Sequence, residues 1–269
     1  MPGLAESWEI SEDGLTYTFR LRDGVTFHDG STMDAEDVKF SLDRARGEDS
    51  LNAQKALFEG IAEVTVVDPR TVEVTLSKPD GMFLSNMAWG DAVIVAPESI
   101  EGIQQTPVGT GPFTFERWVT GDRIEMSRNP DYWGEAPALE AVTFRFISDP
   151  TAAFAAMMAQ DIDAFAGFPA PENLAMFEAD PRFQVLVGST EGETILAMNH
   201  GDAHFSDPKV REALSHAIDR QAIIDGAMFG YGTPIGSHFA PHNPDYVDLT
   251  ELSSYDPKLA KTLLADAGY

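Results

Sequence analysis

Cysteine is absent from the 269-residue chain, which excludes disulfides, thiol catalysis and thiolate metal sites. Basic residues are scarce, with 18 Lys and Arg against 44 Asp and Glu and a formal net charge of −26. Nucleic acids and anionic membrane surfaces are held by basic patches, so neither is expected as a partner. Long hydrophobic runs are missing too. The longest apolar tract, AAFAAMMA at 152–159, falls far short of the roughly 20 residues that a membrane span needs. Met1-Pro2-Gly3 leads straight into folded-looking sequence, with no charged segment and apolar run of the kind that marks a secretory leader. Also absent are a nucleophile elbow, a Walker loop, an H-E-x-x-H pair and a dinucleotide fingerprint. Gly109-Thr110-Gly111 lacks the third glycine and the following helix, and reads as a turn. An α/β hydrolase or metal-dependent enzyme would need a convergent nucleophile and base or three metal ligands. The sequence offers neither, and no cofactor is expected.

What is present is ample apolar content, 43% of residues, enough for ordinary globular cores. The richest stretch runs from Leu15 to Leu42. Leu15, Tyr17, Phe19 and Leu21 alternate with Thr16, Thr18 and Arg20, the period of a half-buried strand. Val25 and Phe27 resume the alternation, and His28-Asp29-Gly30 turns the chain, with His28 expected to hydrogen-bond locally. A helix follows, with Asp34 at the N-cap, Asp37 at N3, and Met33 and Val38 as a hydrophobic staple. Its apolar face is Ala35, Val38, Leu42 and Ala45, and Gly47 is a natural stop.

Further on, Val64 and Val66 pair in pattern with Val72, Val74 and Leu76 across Asp68-Pro69-Arg70, a hairpin signal. Met82, Phe83, Leu84, Met87 and Trp89 form an apolar segment ahead of a short strand from Ala92 to Val95. Phe113 and Phe115 are set against Ile124 and Met126 across Thr120-Gly121-Asp122, a second hairpin, and Val142, Phe144 and Phe146 alternate as another strand. Asp149-Pro150, Asp207-Pro208 and Asp256-Pro257 each place a cap and an N1 proline at a helix start, and Asp219 caps one more. Phe183-Val185-Val187 and Ile195-Ala197 carry strand signals. The spacing of His200 with His204 and of His238 with His242 suits one helix face, but both pairs lie among turn formers and read as loop histidines. His216 reads as a packed or surface residue of the Asp207 helix.

The run LAESWEISEDGLTYTFRLRDGVTFHDGSTMDAEDVKFSL, the strings GTGPF and RNPDYWG, Asp149-Pro150 followed by AQDID, and the segments DPKVREALSHAIDRQAIID and YDPKLAKTLLADAGY occur in one order. Together they resemble the extracellular solute-binding proteins of ABC importers, family 5, which includes dipeptide, oligopeptide and nickel binders. The resemblance implies a mixed α/β, periplasmic-binding-protein-like fold of two lobes plus an extra small domain. Members are about twice this length, so the chain looks like an internal piece, with an incomplete fold. The expected divisions are an extra structural lobe at 1–105, part of the first ligand-binding lobe at 106–170, and the start of the second at 171–269. The implied role is non-enzymatic capture of a peptide-like solute between lobes that close about a hinge, for delivery to membrane permease subunits. The protein is expected to be periplasmic or extracellular and monomeric when full length. Binding of a nickel or metal chelate, or of haem, is the alternative within the same fold.

The resemblance places the crossover Phe165, Gly167 and Phe168 at the cleft border, with Trp89 and Arg128 from neighbouring loops. Read as residues alone, Phe165 and Trp89 also suit a core, and Arg128 suits a surface ion pair. The acidity has two readings as well. It is either a solvated surface or a field that favours a short peptide or other amine-bearing solute.

Overall fold

The computed structural model describes residues 3–269, and the chain divides into two compact units, one ending at Phe146 and one spanning Ile147–Tyr269. The first unit contains all seven strands found among the described residues. Strands β1 (Ala5–Ile10), β2 (Thr16–Leu21), β3 (Ile61–Asp68) and β4 (Thr71–Leu76) form an antiparallel sheet in the order β1-β2-β4-β3. Register follows the hydrophobic pattern. Tyr17 lies opposite Val74 and Phe19 opposite Val72, while Val64 and Val66 meet Val74 and Val72 from the other side. One face is thereby apolar across the sheet. It packs with helix α1 (Ala35–Arg46) over a core that includes Val25, Phe58, Val64, Val72, Val74 and Phe83, each no more than 1% exposed. Full burial of such side chains contributes about 1.5–3 kcal/mol apiece.

Helix α1 begins as the sequence indicates. Asp34 accepts from the Glu36 amide at 2.8 Å and Asp37 reaches back to the Asp34 amide at 2.8 Å. This capping box satisfies helix-end donors in both directions. The helix also covers the edge strand β3, where Lys39 Nζ donates to Val64 O at 2.7 Å, and Arg46 Nη1 to Ile61 O at 3.1 Å and Ala62 O at 3.0 Å. Gly47 ends the helix with φ −56° rather than in the left-handed region.

Three local expectations are corrected here. Val25 and Phe27 are buried, but they flank a single bridge, Thr26 to Thr32, because the Asp29-Gly30 turn folds the chain back before a ladder can extend. Residues 92–95 form no strand, since the buried Ser41 hydroxyl takes both Val95 groups, accepting from its amide at 2.9 Å and donating to its carbonyl at 3.1 Å. His28 does not bond only within its turn. Its amide donates to Gly109 O at 2.8 Å and its ring nitrogens contact Gly109 N at 3.3 Å and Gly111 O at 3.0 Å. Strand β1, Ala5–Ile10, which no extended alternation in the sequence signals, completes the sheet.

After the short helix α2 (Phe83–Met87), the second sheet has the order β5-β6-β7, from Phe113–Val119, Arg123–Arg128 and Ala141–Arg145. Phe115, Met126 and Val142 align across it, as do Trp118, Ile124 and Phe144. The opposite face is polar. Glu125 there receives Arg117 at 2.7 Å and Arg123 at 2.6 Å.

The second unit is helical: α3 (Pro150–Met158), α4 (Leu174–Glu178), α5 (Pro208–Ala217), α6 (Arg220–Ala227) and α7 (Pro257–Asp266). Asp149, Asp207, Asp219 and Asp256 each cap a helix through the side chain. The Asp-Pro device therefore works as read, with proline at the first turn where no amide is needed. Buried Val210, Ala213 and Ala260 lie where α5 meets α7, and the buried His216 Nδ1 donates to Ser254 O at 2.7 Å. The strands expected at 183–187 and 195–197 are not formed. A strand's backbone groups need a neighbouring strand, and none pairs with them among the described residues of this unit.

Candidate functional site

Trp89 sits just after α2 in a turn held by the Ala92 amide to Trp89 O at 3.0 Å. Asn52 steadies the same loop by donating to Asp91 O at 2.9 Å. The residue is 58% exposed, so it belongs to no core. An indole presented to solvent on a fastened loop is a surface on which an apolar or cationic group can stack.

Arg128 ends β6. Its amide donates to Glu140 O at 2.8 Å and Nη1 donates to Pro137 O at 3.2 Å, while Glu140 Oε1 stands 3.8 Å from Nη2. Only one guanidinium hydrogen bond is thus short, and its side chain remains 38% exposed. The planar fork keeps donors for a carboxylate or similar acceptor. Beside it, the buried Asn129 is built into the backbone: its amide donates to Pro112 O at 2.9 Å and Nδ2 to Gly111 O at 3.0 Å. Trp133 Nε1 donates to Thr110 O at 3.0 Å, and Arg22 lies over its ring at 4.9 Å. Asn129 and Trp133 lie within the RNPDYWG string, where Arg128 alone was expected at the site. An asparagine and a tryptophan beside a glycine-rich turn were the available signal.

The crossover residues belong to the second unit. Phe177 is the centre of an aromatic cluster, with ring centroids 5.3 Å from Phe154, 5.2 Å from Phe168 and 5.0 Å from Phe183. Phe165 packs edge-on to Phe168 at 5.4 Å. Gly167 between them has φ +69°, a conformation that a side chain would strain, and this turn brings both rings to the cluster. Phe165 and Phe168 therefore contribute to packing inside this unit while remaining partly accessible.

The histidine pairs do not share helix faces. His204 Nδ1 meets Asp202 at 2.9 Å, His238 Nδ1 meets Glu193 at 3.0 Å, and His242 Nε2 meets Glu191 at 2.8 Å. Among the described residues no group of three or more His, Asp or Glu side chains could hold a metal ion. None of the helices among them is long and apolar enough to cross a membrane.

Known proteins resemble the chain over its whole length. The glutathione-binding protein GsiB of Salmonella paratyphi A is 36% identical over 272 residues, covering 99% of this chain and 52% of that protein. The crystal structure of NikA from Brucella suis in complex with Fe(III)-EDTA matches with a TM-score of 0.86 and 29% identity, over 100% of this chain and 56% of that one. The oligopeptide-binding protein AppA of Bacillus subtilis, solved with a nonapeptide, matches with a TM-score of 0.82 and 29% identity, over 99% and 55%. The chain thus spans about half the length of these relatives, and GsiB and AppA are binding proteins by name. The model of the bacterial extracellular solute-binding proteins, family 5 (middle), matches residues 1–269, and the chain belongs to that family.

Proposed function

We propose that the protein carrying this chain is the solute receptor of an ABC importer, acting outside the cytoplasm without catalysis and as a monomer. It captures a short peptide or other amine-bearing solute in an interlobe cleft and hands it to the membrane permease subunits. The match of the family across residues 1–269, together with relatives named as glutathione-binding and oligopeptide-binding proteins, carries this reading. In it, residues 1–105 are an accessory structural lobe, 106–170 contribute to one ligand-binding lobe and 171–269 begin the other. Trp89 stacks on an apolar or cationic part of the solute, Arg128 receives an acceptor group, and the crossover at Phe165, Gly167 and Phe168 borders the cleft. The net charge of −26 favours ligands with a free ammonium group over anionic ones.

A second reading, capture of a metal chelate, is favoured by the likeness to NikA, solved with Fe(III)-EDTA. A chelate brings its own metal ligands, so the scarcity of metal-binding clusters does not weigh against it. Calorimetry on the full-length protein with a dipeptide pool, glutathione, free nickel and a nickel chelate separates the two. Heat of binding with the dipeptides or glutathione supports the peptide reading, and heat with the chelate alone overturns it. N-acetylated dipeptides that bind as tightly as free-amine ones at low salt would remove the charge argument.

A further inference from the structure

We propose that His28 is a clasp joining the two sheets of the first unit, that it closes only as the neutral Nε2–H tautomer, and that acid therefore opens it. The strap between the sheets, residues 106–112, follows no regular element, so its backbone groups must be satisfied individually. Four successive carbonyls are. Gly109 O accepts from the His28 amide at 2.8 Å, Thr110 O from Trp133 at 3.0 Å, Gly111 O from both His28 Nε2 and Asn129 Nδ2 at 3.0 Å, and Pro112 O from the Asn129 amide at 2.9 Å. The loop at 129–133 holds the strap from the side of the second sheet. His28 holds it from the side of the first.

The partners fix the tautomer. Gly109 N–H can only donate, so Nδ1 accepts it at 3.3 Å, and Gly111 O can only accept, so Nε2 carries the proton at 3.0 Å. The ring lies against Gly109, where an added Cβ would come within 3.8 Å of Cε1. A proton on Nδ1 would set one N–H against another and leave the Gly109 amide without an acceptor. Asp29 in the same turn couples electrostatically to His28, and its own carboxyl is held below the usual range by the Ser31 hydroxyl and amide. Asp29 couples in turn to Asp37, which also feels the charges of Asp34 and Glu98. The strap carries no titratable side chain. Behind it are Asp131, Tyr132 and the Arg22 guanidinium over Trp133. The two hydrogen bonds select the Nε2–H form, because the clasp needs Nδ1 free to accept the Gly109 amide.

Two measurements on the full-length protein test this. Histidine-selective 15N correlation spectra at pH 7.5 should show His28 with an acceptor Nδ1 and a protonated Nε2. Amide exchange in the peptide covering 106–112, corrected for the intrinsic rate, should rise at least tenfold between pH 7.5 and pH 5.0 in the native protein. In His28→Gln, which keeps a donor for Gly111 O but cannot titrate, the corrected exchange should be the same at both pH values. His28→Ala should exchange rapidly at both. An Nδ1–H tautomer at pH 7.5, or corrected exchange in the native protein that does not change with pH, would overturn the proposal, and neither outcome depends on a variant folding.

Discussion

Val25, Phe58, Val72 and Val74 in the first unit expose none of their surface, whereas Leu186, Ile195 and Leu196 in the second expose 82%, 66% and 62%. Val72 and Val74, like Leu186 and Ile195, come from segments with strand-like hydrophobic signals, while Phe58 fills the core from the short 3-10 turn Lys55–Phe58. The difference is pairing. At 61–76 the two halves of a hairpin meet within one turn and a third strand, β2, joins from earlier in the chain. The segments at 183–187 and 195–197 find no such neighbour and remain extended, with their apolar residues outward. Helices behave otherwise, because their backbone bonds are internal. Hence α3, α5, α6 and α7 form in the unit where the strands do not.

The largest expected effect tests this contrast at its extremes. All four tryptophans, Trp8, Trp89, Trp118 and Trp133, lie in the first unit, so their fluorescence reports its unfolding alone. Phe58→Ala should cost about 3–5 kcal/mol in denaturant unfolding so monitored, the loss expected when a fully buried ring leaves a cavity. Leu186→Ala should change the stability of the second unit, followed by helical circular dichroism, by less than about 0.5 kcal/mol. Comparable costs at the two sites would abolish the distinction. A substantial cost for Leu186→Ala in a longer protein, with none in this chain, would show that the longer protein covers it.

Amide exchange should show the same contrast residue by residue. The β3–β4 ladder is expected to exchange at least about a hundredfold more slowly than residues 183–197, since its bonds open only with the buried core beneath them. Equal protection would mean that the second segment has a pairing partner after all.

Local signals explain what could be read beforehand. Asp34 and Asp37, the Asp-Pro starts at 149, 207 and 256, and the hairpin around Asp68-Pro69 are decided within a few residues, and each formed as read. The failures were long-range. Nothing next to His28 in sequence signals that its ring reaches Gly109 and Gly111, 81 and 83 positions away, nor that Ser41 occupies the groups on Val95. The candidate site was legible only as loops. The exposure of Trp89 and the partly free fork of Arg128 are tertiary facts, as is the packing of Phe168 on Phe177.

Two carboxylates in the first unit carry the comparison between buried and exposed surroundings into pH. Burial, reinforced by the neighbouring charges of Asp34, Glu98 and Asp29, raises Asp37 above the ordinary aspartate value despite its bond from the Asp34 amide. A raised carboxyl binds its proton more tightly in the folded state. Its contribution is therefore full below the ordinary value of 3.8 and is lost as the pH rises through the raised one. Relative to Asp37→Asn, which keeps the acceptor but not the charge, the native chain should gain stability as the pH falls from 7 toward 4, read as a shift of the denaturation midpoint in its favour. A native chain that loses ground to the variant over that range would reverse the assignment.

Glu125 should show the opposite sign and the smallest effect. Arg117 and Arg123 donate to its carboxylate and lower it from 4.5 to about 2. The folded state therefore favours the ionised form. The resulting stability is present above 4.5 and is lost as the pH falls through the window down to about 2. The group lies on the polar face of the second sheet, where water and salt screen the attraction and long side chains lose freedom when they pair. Glu125→Gln should consequently lower the thermal midpoint only slightly at pH 7 and 0.05 M salt, with the difference shrinking at 0.5 M salt because the Debye length contracts from more than 10 Å to a few ångströms. It should shrink again between pH 5 and pH 3. A difference that persists unchanged in high salt and at pH 3 would mean that Glu125 acts through packing or hydrogen-bond geometry rather than charge. The β5–β6 pair would then be held from its polar face as firmly as the first sheet is from its apolar one.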